Sequence, residues 1–268
     1  MNSKKYLSFF RITFSSGIQY RAALGGTVTQ FAWGSMNLLL YKAFYATDAA
    51  KFPMSFEALS SYIWLQQAFI SMLFLWFLDN EIFNLIRNGN VAYELVRPLN
   101  LYNMWFIKSV ATRLAKVVLR CFPILIIAYL LPSPYGLSLP VDLFSFIYFL
   151  ITLFLALMVV CAFCMLIYIT TFYTLNPSGV RFITLSLTEF LTGAIIPIPF
   201  FPEGFKKIIE LTPFSSMQNI PLRVYSGDLS GFEMYKGISL QIFWLVTLIV
   251  IGKLWMKKAL KKTVIQGG

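Results

Sequence analysis

The chain contains no histidine. That excludes histidine-dependent zinc sites, haem ligation by histidine, and the residue most often used as a general acid or base. Charge is scarce as well: only 12% of the 268 residues are charged, about half the share usual in a soluble domain. Acids are scarcest, with 11 Asp and Glu against 22 Lys and Arg. No G-x-x-x-x-G-K-[ST] loop occurs, so the chain carries no phosphate cradle of that kind. No span holds paired carboxylates, and no serine–histidine arrangement is available. The three cysteines, Cys121, Cys161 and Cys164, all fall in apolar runs. This placement reads as small buried hydrophobes rather than a metal or redox site.

What is present is apolar. Hydrophobic residues make up 58% of the chain and the mean hydropathy is +0.72. An all-α integral membrane protein is the class this composition implies. The net charge of +11 would point to nucleic acid in a soluble protein. Here the basic residues flank apolar runs, so membrane topology explains them and no nucleic-acid partner is expected. The first apolar run follows a basic stretch and is too long for a signal-peptide core, so no cleavable leader is expected.

Six runs approach the roughly twenty residues that a bilayer requires. They lie near residues 22–45, 59–78, 108–131, 143–172, 182–196 and 237–255. With both termini on the inner side, the inner segments hold sixteen basic residues. These are Lys4, Lys5, Arg11, Arg21, Arg87, Arg97, Lys108, Arg113, Lys116, Arg120, Arg181, Lys253, Lys257, Lys258, Lys261 and Lys262. The outer segments hold Lys42, Lys51, Lys206, Lys207, Arg223 and Lys236. This asymmetry predicts an N-in/C-in, six-span topology. Lys108, Arg113, Lys116 and Arg120 are expected to reach from the first half of span three to the inner headgroups. Ahead of the first span, Leu7, Phe10, Phe14 and Ile18 share one face at helical spacing. The reading is a helix lying in the inner interface; the alternative is a disordered basic tail.

Two interruptions carry the functional argument. Residues 79–103 are the longest polar break in the first half. They suggest a short helix from Glu81 to Arg87, stopped at Asn88, Gly89 and Asn90. This is either a plain connector or a surface of Ile82, Phe83, Ile86, Arg87, Tyr93 and Glu94 offered to a cytoplasmic partner. The second break places Pro197, Pro199 and Pro202 within six residues at the end of an apolar run, and an amphipathic segment, 203–211, follows at once. Proline removes a backbone donor and clashes with the preceding turn, so the helix breaks. Lipid cannot satisfy broken backbone, so the break is buried in protein or faces water. Glu189, just before it, is the one acid well inside a span. It is either part of a translocation path or a structural partner, and a partner would sit on another helix because Arg181 is two turns away.

These stretches resemble the ABC-2-type permeases of ATP-driven exporters. The resemblance covers essentially the whole chain. Residues 94–102 (ELVRPLNLY), 193–205 (GAIIPIPFFPEGF), 212–214 (TPF) and 221–227 (PLRVYSG) are similar to a bacterial subfamily of such permeases. The resemblance implies a single transmembrane domain over 1–268, with an interfacial helix at 1–21, a cytoplasmic coupling loop at 80–100 and an outer re-entrant hairpin at 193–211. It implies a second permease chain, identical or related, and a separate ATPase subunit that binds ATP and Mg²⁺. This chain would hold no cofactor or metal, would not be an enzyme, and would sit in the bacterial plasma membrane. Glu81, Ile82, Phe83, Ile86, Arg87, Glu94 and Arg97 would couple to the ATPase. Glu189, Gly193, Pro197, Pro199, Phe200, Phe201 and Pro202 would form the path and its gate. The competing readings are an ion-coupled carrier working without ATP, which usually shows inverted repeats and several buried ionisable groups, and a membrane-embedded enzyme.

Overall fold

The computed structural model describes residues 2–19, 25–48, 52–174 and 177–262. Arg21 and Lys51 of the charge count, and Asn176 in the turn before span five, lie outside the described residues. Among the described residues the chain is helical and contains no strand. The elements are α1 Asn2–Gln19, α2 Gly25–Asp48, α3 Phe56–Ala68, α4 Ile70–Leu73, α5 Asn80–Arg87, α6 Val91–Leu95, α7 Leu101–Leu130, α8 Leu143–Thr170, α9 Pro177–Leu191, α10 Glu203–Glu210, α11 Pro213–Met217, α12 Asn219–Tyr225 and α13 Gly231–Lys262.

Two of these helices are long and apolar enough to cross a bilayer by length and composition. They are α8 (28 residues) and the first 31 residues of α13. The helix α8 has Asp142 at its N-cap, whose carboxylate accepts the Ser145 N–H at 2.6 Å. The Ser145 hydroxyl and N–H hold the exposed Asp142 carboxyl below the usual aspartate range. The 30-residue α7 runs beside α8 and carries Pro123 inside it.

Spans two and five differ from the sequence expectation. Span two, expected as one helix over 59–78, is three pieces. The helix α3 ends at Ala68, α4 occupies Ile70–Leu73, Phe74 is extended, and a 3₁₀ turn covers Leu75–Phe77. Span five, expected over 182–196, is the 15-residue α9, which begins at Pro177 and stops at Leu191.

The long helices share two layers of core. At one end, α7, α8 and the end of α13 surround Trp105, Tyr168 and Met256. Here Trp105 stacks on Phe172, and Tyr173 on Trp255. The short helix α5 and the start of α9 join this end through Asn80 and Arg181. It carries most of the basic residues and is called the basic end. At the opposite end α3 packs with α7, α8 and α12 around Tyr62, Ile63, Ile124 and Leu222. The indole of Trp64 donates to the Tyr135 carbonyl at 2.7 Å, and the Tyr225 hydroxyl to that of Ser138 at 3.0 Å.

The amino-terminal segment is a helix, so the disordered alternative is set aside. It docks along the first half of α7: the Tyr6 hydroxyl accepts the Asn100 N–H at 3.1 Å, and Gly17 lies against Ala115. Its packed face holds Phe9, Phe10, Phe14 and Ile18, while Leu7 points away at 54% exposure.

Candidate functional site

The short helix α5 is riveted to three others at the basic end. Asp79 caps it by accepting the Glu81 N–H at 2.9 Å. The Tyr168 hydroxyl of α8 accepts the Asp79 N–H at 2.7 Å. From α7, Lys108 Nζ reaches Asp79 at 2.9 Å and also pairs with Glu81. From α9, Arg181 donates to Asn80 at 2.7 Å and lies over the Phe83 ring. Amphipathic spacing explains which side faces in. Ile82 and Phe83 are buried, Phe83 meets Tyr168 edge-on, and Ile86 is half-buried.

The expectation that Ile82 and Phe83 belong to a surface offered to a partner therefore does not hold for their side chains, because burial against α8 takes them. The outward set is Glu81, Arg87, Tyr93 and Val96, with the Glu94–Arg97 pair (3.2 Å) beside it. Gly89, at φ +72°, turns the chain between α5 and α6.

The proline break is a buried turn. Gly193 takes φ +80°, and a Cβ there would meet Ile198 N at 2.9 Å, so only glycine fits without strain. Pro197 and Pro199 are buried and Pro202 is exposed. Phe201 packs with Ile198, Ile209 and Leu191, while Phe200 meets Tyr41 and Phe52. The chain returns through α10, and the carbonyl of Leu211, which caps its end, accepts the Trp244 indole N–H at 2.9 Å. It climbs again through α11 and α12. Arg223 joins Glu210 at 2.8 Å to Asp228 at 2.5 Å, closing this returning segment on itself.

The proline hairpin and the unwound end of α4 are met by side-chain donors from neighbouring elements, and a further glutamine ties α13 to α8 and α11. Gln66 donates to the Ala194 carbonyl at 3.1 Å and Gln218 to that of Gly193 at 3.4 Å. Gln241 donates to Thr152 and Ser216, each at 3.0 Å. Arg113 Nη1 reaches the carbonyls of Ser71 and Met72 at 3.3 Å and Phe74 at 2.6 Å, where α4 unwinds. At 1% exposure Arg113 is sealed in the protein. The expectation that it reaches headgroups is corrected: the orphaned carbonyls at the end of α4 draw it inward. Sequence reading missed these donors; polar Gln66, Gln218 and Gln241 inside apolar runs were the available signal.

Beside the unwound end of α4 lies a cavity of about 470 Å³. It is bounded by α2, the ends of α3 and α4, residues 74–77, α7 and α9. Its lining includes Gln30, Trp33, Gln67, Trp76, Arg120 and Glu189. Glu189 of α9 and Arg120 of α7 line one space, whereas Arg181 is engaged at the basic end. Of the proline hairpin, this cavity takes Ala194 and Ile195. The aromatic pair Phe200 and Phe201 does not line this cavity: Phe201 packs with Ile198 and Ile209, and Phe200 meets Tyr41.

An ABC-2 family transporter protein model matches residues 31–267, nearly the whole chain. The chain belongs to the ABC-2 transporter family. It is accordingly a multi-pass membrane protein and a permease component of an ABC transporter, not a catalyst in its own right. The match takes in the broken α3–α4 segment, the riveted α5, most of the cavity lining and the proline hairpin of this permease. Comparison with curated proteins gives no match.

Proposed function

We propose that this permease is the membrane subunit of an ATP-driven exporter in the bacterial plasma membrane. In this reading it forms a path with a second permease chain and is driven by separate ATPase subunits that hold the ATP and Mg²⁺. The basic end faces the cytoplasm, both termini are inside, and six segments span the bilayer, two of them broken. The observation that carries the reading is the wiring of α5. One short helix is tied by Lys108, Tyr168 and Arg181 to α7, α8 and α9. A push on its outward face, at Glu81, Arg87 and the adjoining Tyr93, reaches three long helices without an intervening loop. The apolar outer faces of α2 (Val28, Met36, Leu39) and α9 (Phe182, Ile183) are exposed and suit lipid or a second permease chain. Residues 193–211 serve as the outer gate, with Glu189 in the path beneath it.

The test is copurification of the tagged full chain with an ATPase subunit, together with Arg87→Glu and Glu94→Arg. Recovery of an ATPase whose association weakens in either variant is expected. Recovery of none, with transport intact in both variants, overturns the coupling assignment. For topology, Pro202→Cys places a thiol at an exposed tip. Labelling by an impermeant maleimide from outside the cell is expected, and labelling only from the cytoplasmic side overturns the placement.

A further inference from the structure

The outward face of α13 changes character along the helix axis. Phe243, Val246, Val250 and Leu254 share this face at helical spacing and are 50% to 65% exposed. The opposite face, with Leu248, Gly252 and Met256, packs inward, Gly252 against Tyr102. From Phe243 to Leu254 the helix rises roughly 16 Å, about the hydrocarbon depth of one leaflet. The same outward face then carries Lys257 and Lys261, with Lys253 and Lys258 on its flanks, and all four are exposed. Among the described residues none of these lysines makes an ion pair or a hydrogen bond. The chain has no acid after Glu233. The acids near the basic end are taken, Asp79 and Glu81 by Lys108 and Glu94 by Arg97.

We infer that this end of α13 binds a diacyl phospholipid with an anionic headgroup. Its acyl chains lie along the Phe243–Leu254 face, and its phosphate oxygens accept from the Lys257 and Lys261 ammoniums. A soluble anion would meet the lysines and leave the apolar face unused. A zwitterionic lipid would cover the apolar face and bring a cation of its own to the lysines. A lipid of net negative charge matches both. The long stems of Lys253 and Lys258 let their ammoniums reach the same headgroup plane. The inference goes beyond the transport reading and needs only that α13 spans the bilayer; that the leaflet is the inner one rests on the proposed orientation.

The experiment places the full chain in phosphatidylcholine vesicles with rising fractions of brominated phosphatidylglycerol or, separately, brominated phosphatidylcholine of the same chains. Trp255, half-buried between Lys253 and Lys257 in sequence, is read as the difference in quenched emission between the parent and Trp255→Phe. Phosphatidylglycerol is expected to associate there roughly tenfold more tightly than phosphatidylcholine at low salt. The preference is expected to shrink in about 1 M NaCl, where charges are screened within a few ångströms. The double variant Lys257→Gln, Lys261→Gln is expected to lower the preference about fivefold, and the Lys257→Arg, Lys261→Arg pair to keep it. Should the glutamine pair not be monodisperse, Lys257→Gln alone is expected to lower it roughly threefold. Lys4→Gln with Lys5→Gln, on α1, removes the same charge from another helix and is expected to leave it in place. Equal association of the two lipids overturns the inference and leaves the lysines to a soluble acidic partner. A preference that survives the glutamine variants, or falls as much in the α1 variant, overturns the assignment to α13. Both leaflets carry the same lipids, so the result does not depend on orientation or on recovery of an ATPase, and its failure is distinct from failure of the proposed function.

Discussion

Replacing Arg113 by Met is the sharpest test of how this fold tolerates a broken span. Nη1 has two hydrogens for three carbonyls, so one goes to Phe74 at 2.6 Å and the other is shared between Ser71 and Met72 at 3.3 Å. Nη2 faces Cys164 Sγ at 3.3 Å, a weak contact. Two charge-assisted bonds at about 1.5–3 kcal/mol each set a gross loss of about 3–6 kcal/mol. Methionine fills most of the volume and removes the burden of a buried charge, which offsets part of this. A net loss of about 3 kcal/mol is expected, a fall in melting temperature of roughly 6–12 °C at the slope typical of chains this size. The assay is thermal unfolding in neutral detergent, followed by a thiol-reactive fluorophore. All three cysteines are free and buried, so the signal starts dark. Cys164 adjoins Arg113 and is expected to become reactive first in the variant. Arg113→Lys, with a point charge in place of the fork, is expected to fall between the two. A melting temperature for Arg113→Met indistinguishable from the parent, with Cys164 still protected, would refute the argument that the guanidinium holds the unwound end of α4.

Two further outcomes follow from the same physics. Gly193→Ala must hold φ near +80° with its Cβ 2.9 Å from Ile198 N; a loss of about 1–3 kcal/mol is expected, read as a lower melting temperature, while Gly204→Ala, which meets nothing within 4 Å, is expected to be nearly silent. Gln241→Leu leaves the buried Ser216 carbonyl without its donor, so a loss of about 1–3 kcal/mol is expected, checked by denaturation and by faster hydrogen exchange in α11.

How much of this was legible in the sequence depends on the kind of signal. Composition and run length give the helical membrane class, and residue spacing gives α5 and the turn at Gly89. The proline cluster marks the break after Leu191 because its chemistry is local. The unwinding at Phe69 and Phe74 is not legible, since no proline or glycine marks it. It is stabilised from 39 residues away in sequence by Arg113, and an apolar run reads the same whether or not it is continuous. The same limit applies to Ile82 and Phe83. Their hydrophobicity is visible, but whether it serves a partner or the bundle depends on where Tyr168 arrives. That Glu189 and Arg120 line one cavity is likewise a tertiary fact, while the two-turn gap to Arg181 along one helix is readable from the sequence.

Gln241 has a mechanical consequence. With one amide nitrogen it holds the Thr152 carbonyl of α8 and the Ser216 carbonyl of α11 while itself riding on α13. Tyr148 and Tyr235 repeat the tie nearer the opposite end, their hydroxyls 3.0 Å apart. A rotation or slide of α13 against α8 by even one residue, about 1.5 Å of rise, would strain both fastenings together. Any transport cycle that keeps them intact therefore carries α8, α11 and α13 as one rigid body, and its relative motion falls between that body and the helices around the cavity.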